Sequence, residues 1–275
     1  MEQLKFSVAM SVYQKDQAEY FDRALCSITE AQTRMPDEIV LIVDGPIPAE
    51  LDAVIQQYQA RFPIFTVIRL AENGGLGNAL RIAVEHASYD LIARMDSDDI
   101  ALPTRFEEQL RCFADNEALD IVGGNISEFV GEETNVVAHR NVPQTHEEIL
   151  SYMRKRCPMN HVSVMFRKSA VLKAGGYLDL FWNEDYYLWI RMMEHQCVFA
   201  NTGTVLVNVR TGADMYKRRG GKPYFQSERF LQKYMLERGI IGKWTYLENV
   251  GKRWILQRLL PNRIRGWVFR TFARS

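Results

Sequence analysis

The chain has 275 residues, 47% of them hydrophobic and 25% charged, with 34 Lys plus Arg against 34 Asp plus Glu. That length and composition can bury one large core and exclude a disordered or fibrous chain, and no nucleic-acid partner is expected. No apolar stretch reaches the roughly 18 residues a membrane-spanning helix needs. The first residues lack a signal-peptide pattern, and Cys26, Cys112, Cys157 and Cys197 form no CxxC pair. These features predict a soluble or peripheral protein with reduced thiols in the cytoplasm.

In chain order, Phe6 to Val12, Ile39 to Val43, Phe65 to Leu70 and Leu91 to Met95 read as short strands. Amphipathic segments lie between them near Tyr20 to Thr33, Ala49 to Arg61 and Gly77 to Ala87. Alternation of this kind predicts an α/β fold, a mostly parallel sheet flanked by helices, with ligands at the carboxyl ends of the strands. Pro103 is expected to open a helix and Ile121 to begin a strand. A strand at Val162 to Phe166, a helix from Tyr186 to His195 and a strand at Val205 to Val209 follow. Beyond Tyr224 the pattern is helical, broken at Gly239 to Gly242 and at Pro261.

The neutral total conceals a division. Residues 239–275 hold eight basic residues and one acid, Glu248, for a net of +7, which leaves −7 on residues 1–238. We expect a compact domain over 1–238 and a basic amphipathic helical tail over 239–275, in which Leu247, Trp254, Ile255 and Leu259, then Ile264, Trp267, Val268 and Phe272, recur at helical spacing. Such a tail suits an anionic membrane surface, with packing on the acidic domain as the other reading.

Met95-Asp96-Ser97-Asp98-Asp99 sets three carboxylates in four residues at the end of an apolar strand. Crowded like charges raise one another's pKa unless a cation relieves them, and Mg²⁺ or Mn²⁺ takes one or two carboxylates plus phosphates and water. An acidic turn ahead of the Pro103 helix accounts for the spacing equally well. The glycines of Asn73-Gly74-Gly75-Leu76-Gly77 are not spaced as GxGxxG and follow a third strand, so they read as a strand-to-helix turn or as a loop approaching a phosphate or ribose. Asp44-Gly45-Pro46 has the composition of a turn. Asn183 would cap the helix that carries Glu184 and Asp185.

In combination these segments resemble family 2 glycosyltransferases of the GT-A fold. The acidic cluster is similar to their DxD motif, and Ser11-Val12-Tyr13, Asp44, Asn73 to Gly77 with Asn78 and Arg81, and Glu184 to Arg191 follow in the family's order. The likeness spans about residues 4–215. It implies a nucleotide-sugar site at Val12, Tyr13, Asp44, Asn73, Gly77, Asn78, Arg81, Asp96 and Ser97. It further implies a metal at Asp96 and Asp98, a catalytic base at Asp185, and an acceptor or phosphate side at Glu184, His161 and Arg210, with Arg218 and Arg219 nearby. Where many members carry two acids and Gly-Ser after the second strand, this chain reads Val43-Asp44-Gly45-Pro46, as in a subgroup that makes bacterial exopolysaccharide and O-antigen. The implied reaction is inverting transfer of glucose or galactose from a UDP-sugar to a lipid-diphosphate-linked sugar, at the inner face of the inner membrane. A sugar-1-phosphate nucleotidyltransferase would carry a glycine-rich basic loop where Ser11-Val12-Tyr13-Gln14 stands. A degenerate scaffold would lack a carboxylate at the metal or base position, and none is missing.

Overall fold

A computed structural model describes residues 4–212, 221–255 and 257. Its first half alternates strand and helix: β1 (Phe6–Val12), α1 (Ala18–Ile28), β2 (Glu38–Val43), α2 (Ala49–Arg61), β3 (Phe65–Arg69), α3 (Leu76–His86) and β4 (Leu91–Met95). These strands lie parallel in the order β3-β2-β1-β4. β2 and β4 are buried along their whole length, as strands covered on both faces must be.

The second half comprises β5 (Ile100–Ala101), α4 (Arg105–Asp115), β6 (Ile121–Phe129), β7 (Val136–Arg140), α5 (His146–Met153), β8 (Met165–Arg167), α6 (Lys168–Lys173), α7 (Glu184–Glu194) and β9 (Phe199–Arg210). α8 (Lys222–Glu237) and α9 (Lys243–Trp254) follow. β8 runs antiparallel to both β4 and β6 and so joins the halves into one sheet. β6 and β9 pair in parallel, with β5 antiparallel on β9 and β7 antiparallel on β6. The parallel order therefore belongs to the first half, and beyond β4 the sheet is mixed.

Strand parity sorts the core. Ala9, Val40, Ile42 and Ile92 face α3, α7 and α8, meeting Leu80, Val84, Trp189 and Leu231. Val8, Met10, Leu41 and Ala93 face α1, α2 and α4, meeting Phe21, Leu25, Ile55 and Phe106. Two apolar layers on a period of two fix the register, since a one-residue slip would exchange them.

Several boundaries differ from the sequence expectation for local polar reasons. α1 ends at Ile28 rather than near Thr33, because the Ser27 and Thr29 hydroxyls donate to Ala24 O and Leu25 O, and Gln32 Nε2 donates to Ser27 O. Such bonds compete with helix continuation. Pro103 precedes the N-cap Thr104 instead of opening the helix. His161–Ser163 is a 3₁₀ turn, and the strand expected from Val162 starts at Met165. Here Asn160 Nδ2 and Ser163 Oγ both donate to Gly124 O, which holds the turn closed. Arg218, Arg219 and the second stretch of the basic tail, from Arg258 onward, lie outside the described residues.

Candidate active site

After β3 the chain returns past β2 and places β4 on the other side of β1. At such a switch point the loops leaving two neighbouring strands part and open a crevice at their carboxyl ends. The loop after β1 and the acidic loop after β4 border it. Two side chains tie those loops together: Asp16 Oδ2 accepts from Tyr13 N at 3.1 Å and from Ser97 Oγ at 2.8 Å. Val12 is buried at the strand end and Tyr13 is half-buried.

The acids after β4 have distinct surroundings. Asp96 is paired with the guanidinium of Arg94, which is 3% exposed and whose Nε has no partner among the described residues. Asp99 is buried and accepts from Arg210 N at 2.8 Å. Asp98 has an exposed edge, yet surrounding protein and the charges of Asp96 and Asp16 push its carboxyl up to about 6. Burial, and after it the charges of Asp98 and Asp96, hold Asp99 well above the usual carboxylate range. Below them the buried Arg105 donates to Arg94 O at 2.7 Å, and burial with the charge of Arg94 lowers its guanidinium to about 9.

Charge and donor chemistry here suit a divalent cation, because four carboxylates, Asp16, Asp96, Asp98 and Asp99, outnumber the two buried arginines beside them, Arg94 and Arg105. Among the described residues no three acidic, His or Cys side chains are grouped to hold an ion by themselves. The set fits an ion bound by one or two carboxylates that completes its shell with diphosphate oxygens and water.

Across the crevice α3 and α7 begin side by side, and a Cβ on Gly77 would lie 3.7 Å from Glu184 Cβ. The loop before α3 is closed by Asp44, whose carboxylate accepts from Asn73 Nδ2 at 2.9 Å, Gly74 N at 2.7 Å and Gly75 N at 3.0 Å. Gly75 has φ +83°, a left-handed conformation that favours glycine. Asp44 and Asn73 thus form one unit, with the Asp44 carboxylate turned into the loop. Asn78 Oδ1 accepts from Arg81 at 2.9 Å, and Arg81 also pairs with Glu85 on the outer side of α3.

Asn183 stands at the N-cap of α7, but its side chain donates to Ser227 Oγ at 2.9 Å and makes no cap bond. The expected side-chain cap is absent. Asp185 Oδ1 accepts from Tyr186 N at 2.6 Å, and Cys157 Sγ approaches Asp185 Oδ2 at 3.8 Å. Loss of water, and after it the neighbouring charge of Asp185, push Glu184 up to about 7, and Asp96 adds to the rise from across the crevice. His161 Nε2 meets Tyr177 Oη at 2.9 Å, and burial together with Arg94 keeps the imidazole neutral. The Arg210 guanidinium donates to Asp98 O and Gly131 O and lies over the Tyr20 and Phe129 rings.

Sequence reasoning missed Asp16, Arg94, Tyr177 and Cys157 as parts of this site. A lone arginine inside the apolar run Leu91 to Met95 was the available signal for Arg94, since a charge on a doubly covered strand needs a partner.

Comparison with known proteins identifies the family. The model of "Glycosyl transferase family 2" matches residues 7–180. An Escherichia coli relative, "UDP-Gal:alpha-D-GlcNAc-diphosphoundecaprenol beta-1,3-galactosyltransferase", is 34% identical over 98% of this chain and 97% of its own. The "Amylovoran biosynthesis glycosyltransferase AmsE" of Erwinia amylovora is 37% identical over 84% of this chain and 85% of its own. Among solved structures, S. aureus TarS 1-349 in complex with UDP-GlcNAc superposes with a TM-score of 0.66 at 16% identity, covering 96% of this chain and 79% of that one. With a strand-end acidic crevice, a GT-A fold and a family match over most of its length, the chain belongs to glycosyl transferase family 2.

Proposed function

We propose that this glycosyltransferase moves glucose or galactose from a UDP-sugar, with inversion, to a GlcNAc or GalNAc linked through diphosphate to undecaprenol, in the assembly of a bacterial surface polysaccharide. The reaction would take place at the inner face of the inner membrane, with residues 1–238 forming the transfer domain and 239–275 a basic tail beside anionic lipid. The observation that carries this reading is the crowding of Asp98 with Asp96 and Asp16 at the carboxyl ends of β1 and β4, with Asp96 within electrostatic range of Glu184 at the start of α7. The two relatives act, by their names, in lipid-diphosphate sugar transfer and in amylovoran biosynthesis, which supports the acceptor class.

In this reading Asp98, with Asp96, would hold Mn²⁺ or Mg²⁺, and Arg94 pairs with Asp96 beneath them. A divalent ion there supplies charge neutralisation for the departing diphosphate. Val12, Tyr13, Asn73, Asn78 and Ser97 line the donor side, and Asp44 holds the glycine loop, with Gly77, in shape for it. Asp185 takes the proton of the acceptor hydroxyl while the nucleotide leaves from the opposite face of the sugar. Glu184, His161 and Arg210 border the acceptor and phosphate side.

The test is donor hydrolysis across UDP- and GDP-sugars with Mn²⁺ or Mg²⁺, then transfer to a GlcNAc-diphosphate lipid analogue. UDP-glucose or UDP-galactose should be the preferred donor. Binding of nucleotide without hydrolysis or transfer of any sugar would favour a scaffold instead.

A further inference from the structure

α9 packs Tyr246 on the core but turns four large apolar residues away from the domain: Trp244 is 85% exposed, Leu247 57%, Trp254 46% and the C-cap Ile255 49%. Glu248 lies exposed on the helix and pairs with Lys252, and two polar side chains face in. Asn249 is buried and donates to Gln232 Oε1 at 2.8 Å and to Arg154 O at 3.0 Å. Arg253, with a side chain 14% exposed, pairs with the buried Glu228 and donates to Lys155 O at 2.8 Å. A helix fastened by its polar side holds its apolar side out at the cost of leaving large side chains in water, which an apolar partner would relieve.

The inner bonds of α9 also locate that partner. They end on the main chain of Arg154 and Lys155, which with Arg156 form an exposed basic run directly after α5. The next residue is Cys157, whose sulfur touches the Asp185 carboxylate. Lys243 and Lys252 flank the apolar stripe. In sequence, residues 258–275 add five arginines and no acid. Tryptophan and leucine facing out between cations match the interface of an anionic bilayer, where indoles sit at headgroup depth and cations bind lipid phosphates.

We infer that the outward face of α9 and the Arg154-Lys155-Arg156 run form one docking surface for an anionic lipid bilayer, set so that a lipid-linked acceptor reaches Asp185 from the membrane side. The acceptor part of this inference rests on the function proposed above, whereas the docking part does not. The basic run meets the headgroup and diphosphate layer while Trp244, Leu247, Trp254 and Ile255 enter the boundary beneath it.

The experiment is sedimentation of the full chain with vesicles of phosphatidylglycerol in phosphatidylethanolamine at moderate salt, beside neutral phosphatidylcholine. Trp244→Glu/Trp254→Glu should lower binding to the anionic vesicles about tenfold or more, and Arg154→Glu/Lys155→Glu/Arg156→Glu should do likewise. Thermal melts check that the variants fold. Brominated lipid should quench wild-type tryptophan fluorescence, and Trp244→Phe/Trp254→Phe should remove most of that quenching. Wild-type protein that ignores anionic vesicles, or variants that bind as tightly as wild type, would overturn the inference. So would a concentration-dependent dimer that Trp244→Glu/Trp254→Glu dissolves, because the face would then belong to a second copy. Vesicle binding needs no turnover, so a failure of docking and a failure of the proposed transfer reaction read out separately.

Discussion

Asp98 stands on the open side of the crevice, where loss of water and the charges of Asp96 and Asp16 raise its carboxyl to about 6. Replacing it with Asn should abolish transfer, and Asp96→Asn should cost less, because Arg94 would then be left to face Asp98. Loss of one ligand from an ion that stabilises a leaving group is expected to cost several kcal/mol in the transition state, or about 10³-fold in rate. Rates unmoved by Asp98→Asn or by EDTA would contradict the metal assignment. Asp185→Asn should lower kcat about 10²-fold or more with donor affinity held, and an α-linked donor should yield a β-linked product by NMR. Glu184 gives a pH signature. Its carboxyl is raised from near 4.3 to about 7, so the folded chain holds this proton more tightly than the unfolded chain does. The stability this contributes is complete below about pH 4.3 and is lost as pH rises through about 7. Glu184→Gln should therefore melt higher relative to wild type at pH 8 than at pH 5. Equal differences at both values would remove Glu184 as the titrating group.

The elements that hold these residues were legible to different degrees. Strands β1 to β4 are short, mostly apolar runs between turn residues, and their reading needed only local pattern. The acidic cluster was equally plain, with three carboxylates in four residues. Arg94 and Asp16 were not, because their meaning lies in partners: Asp16 meets Ser97 across 81 positions of sequence. β7 went unread since Val136 and Val137 are exposed on it and give no buried alternation. α5 carried a signal that passed unused: Thr145 and Glu148 form a reciprocal capping box at its start. Asp44 illustrates the limit of reading roles from position. Its composition suits both a turn and a ligand, and three donors from the next loop occupy its carboxylate. Asp44→Ala should free those donors, lower stability by about 1–3 kcal/mol and raise the donor KM. Amide exchange at Gly74 and Gly75 should quicken while the core of α3 stays protected, and unchanged exchange there would disprove the clamp.

At the scale of the molecule, the first stretch of the basic tail, residues 239–255, is anchored on the domain. Ile241 is buried in the core beside α7 and α8, and Arg253 pairs with the buried Glu228. A cut at residue 239 would therefore strip core as well as tail, and a cut after Gln257 is the cleaner way to ask what the final arginines do. Arg253→Ala alone should destabilise by about 3–5 kcal/mol, since Glu228 would stay buried without a counter-charge, while Arg253→Met with Glu228→Leu should recover most of that loss. Additive losses in a double-mutant cycle would show that the two side chains do not act as a pair.

Gly77 has a consequence of its own for the geometry of transfer. A methyl on Gly77 would just fill the gap to the stem of Glu184, 3.7 Å from its Cβ, so there is room at the start of α3 for alanine and little more. Valine at that position would act as a spacer, and α7 would carry Asp185 outward as a rigid body while the strand-end acids stayed behind on the sheet. Alanine at 77 should therefore leave turnover close to wild type while valine lowers it, which would tie the separation of the proposed base and diphosphate to how much bulk this one position carries.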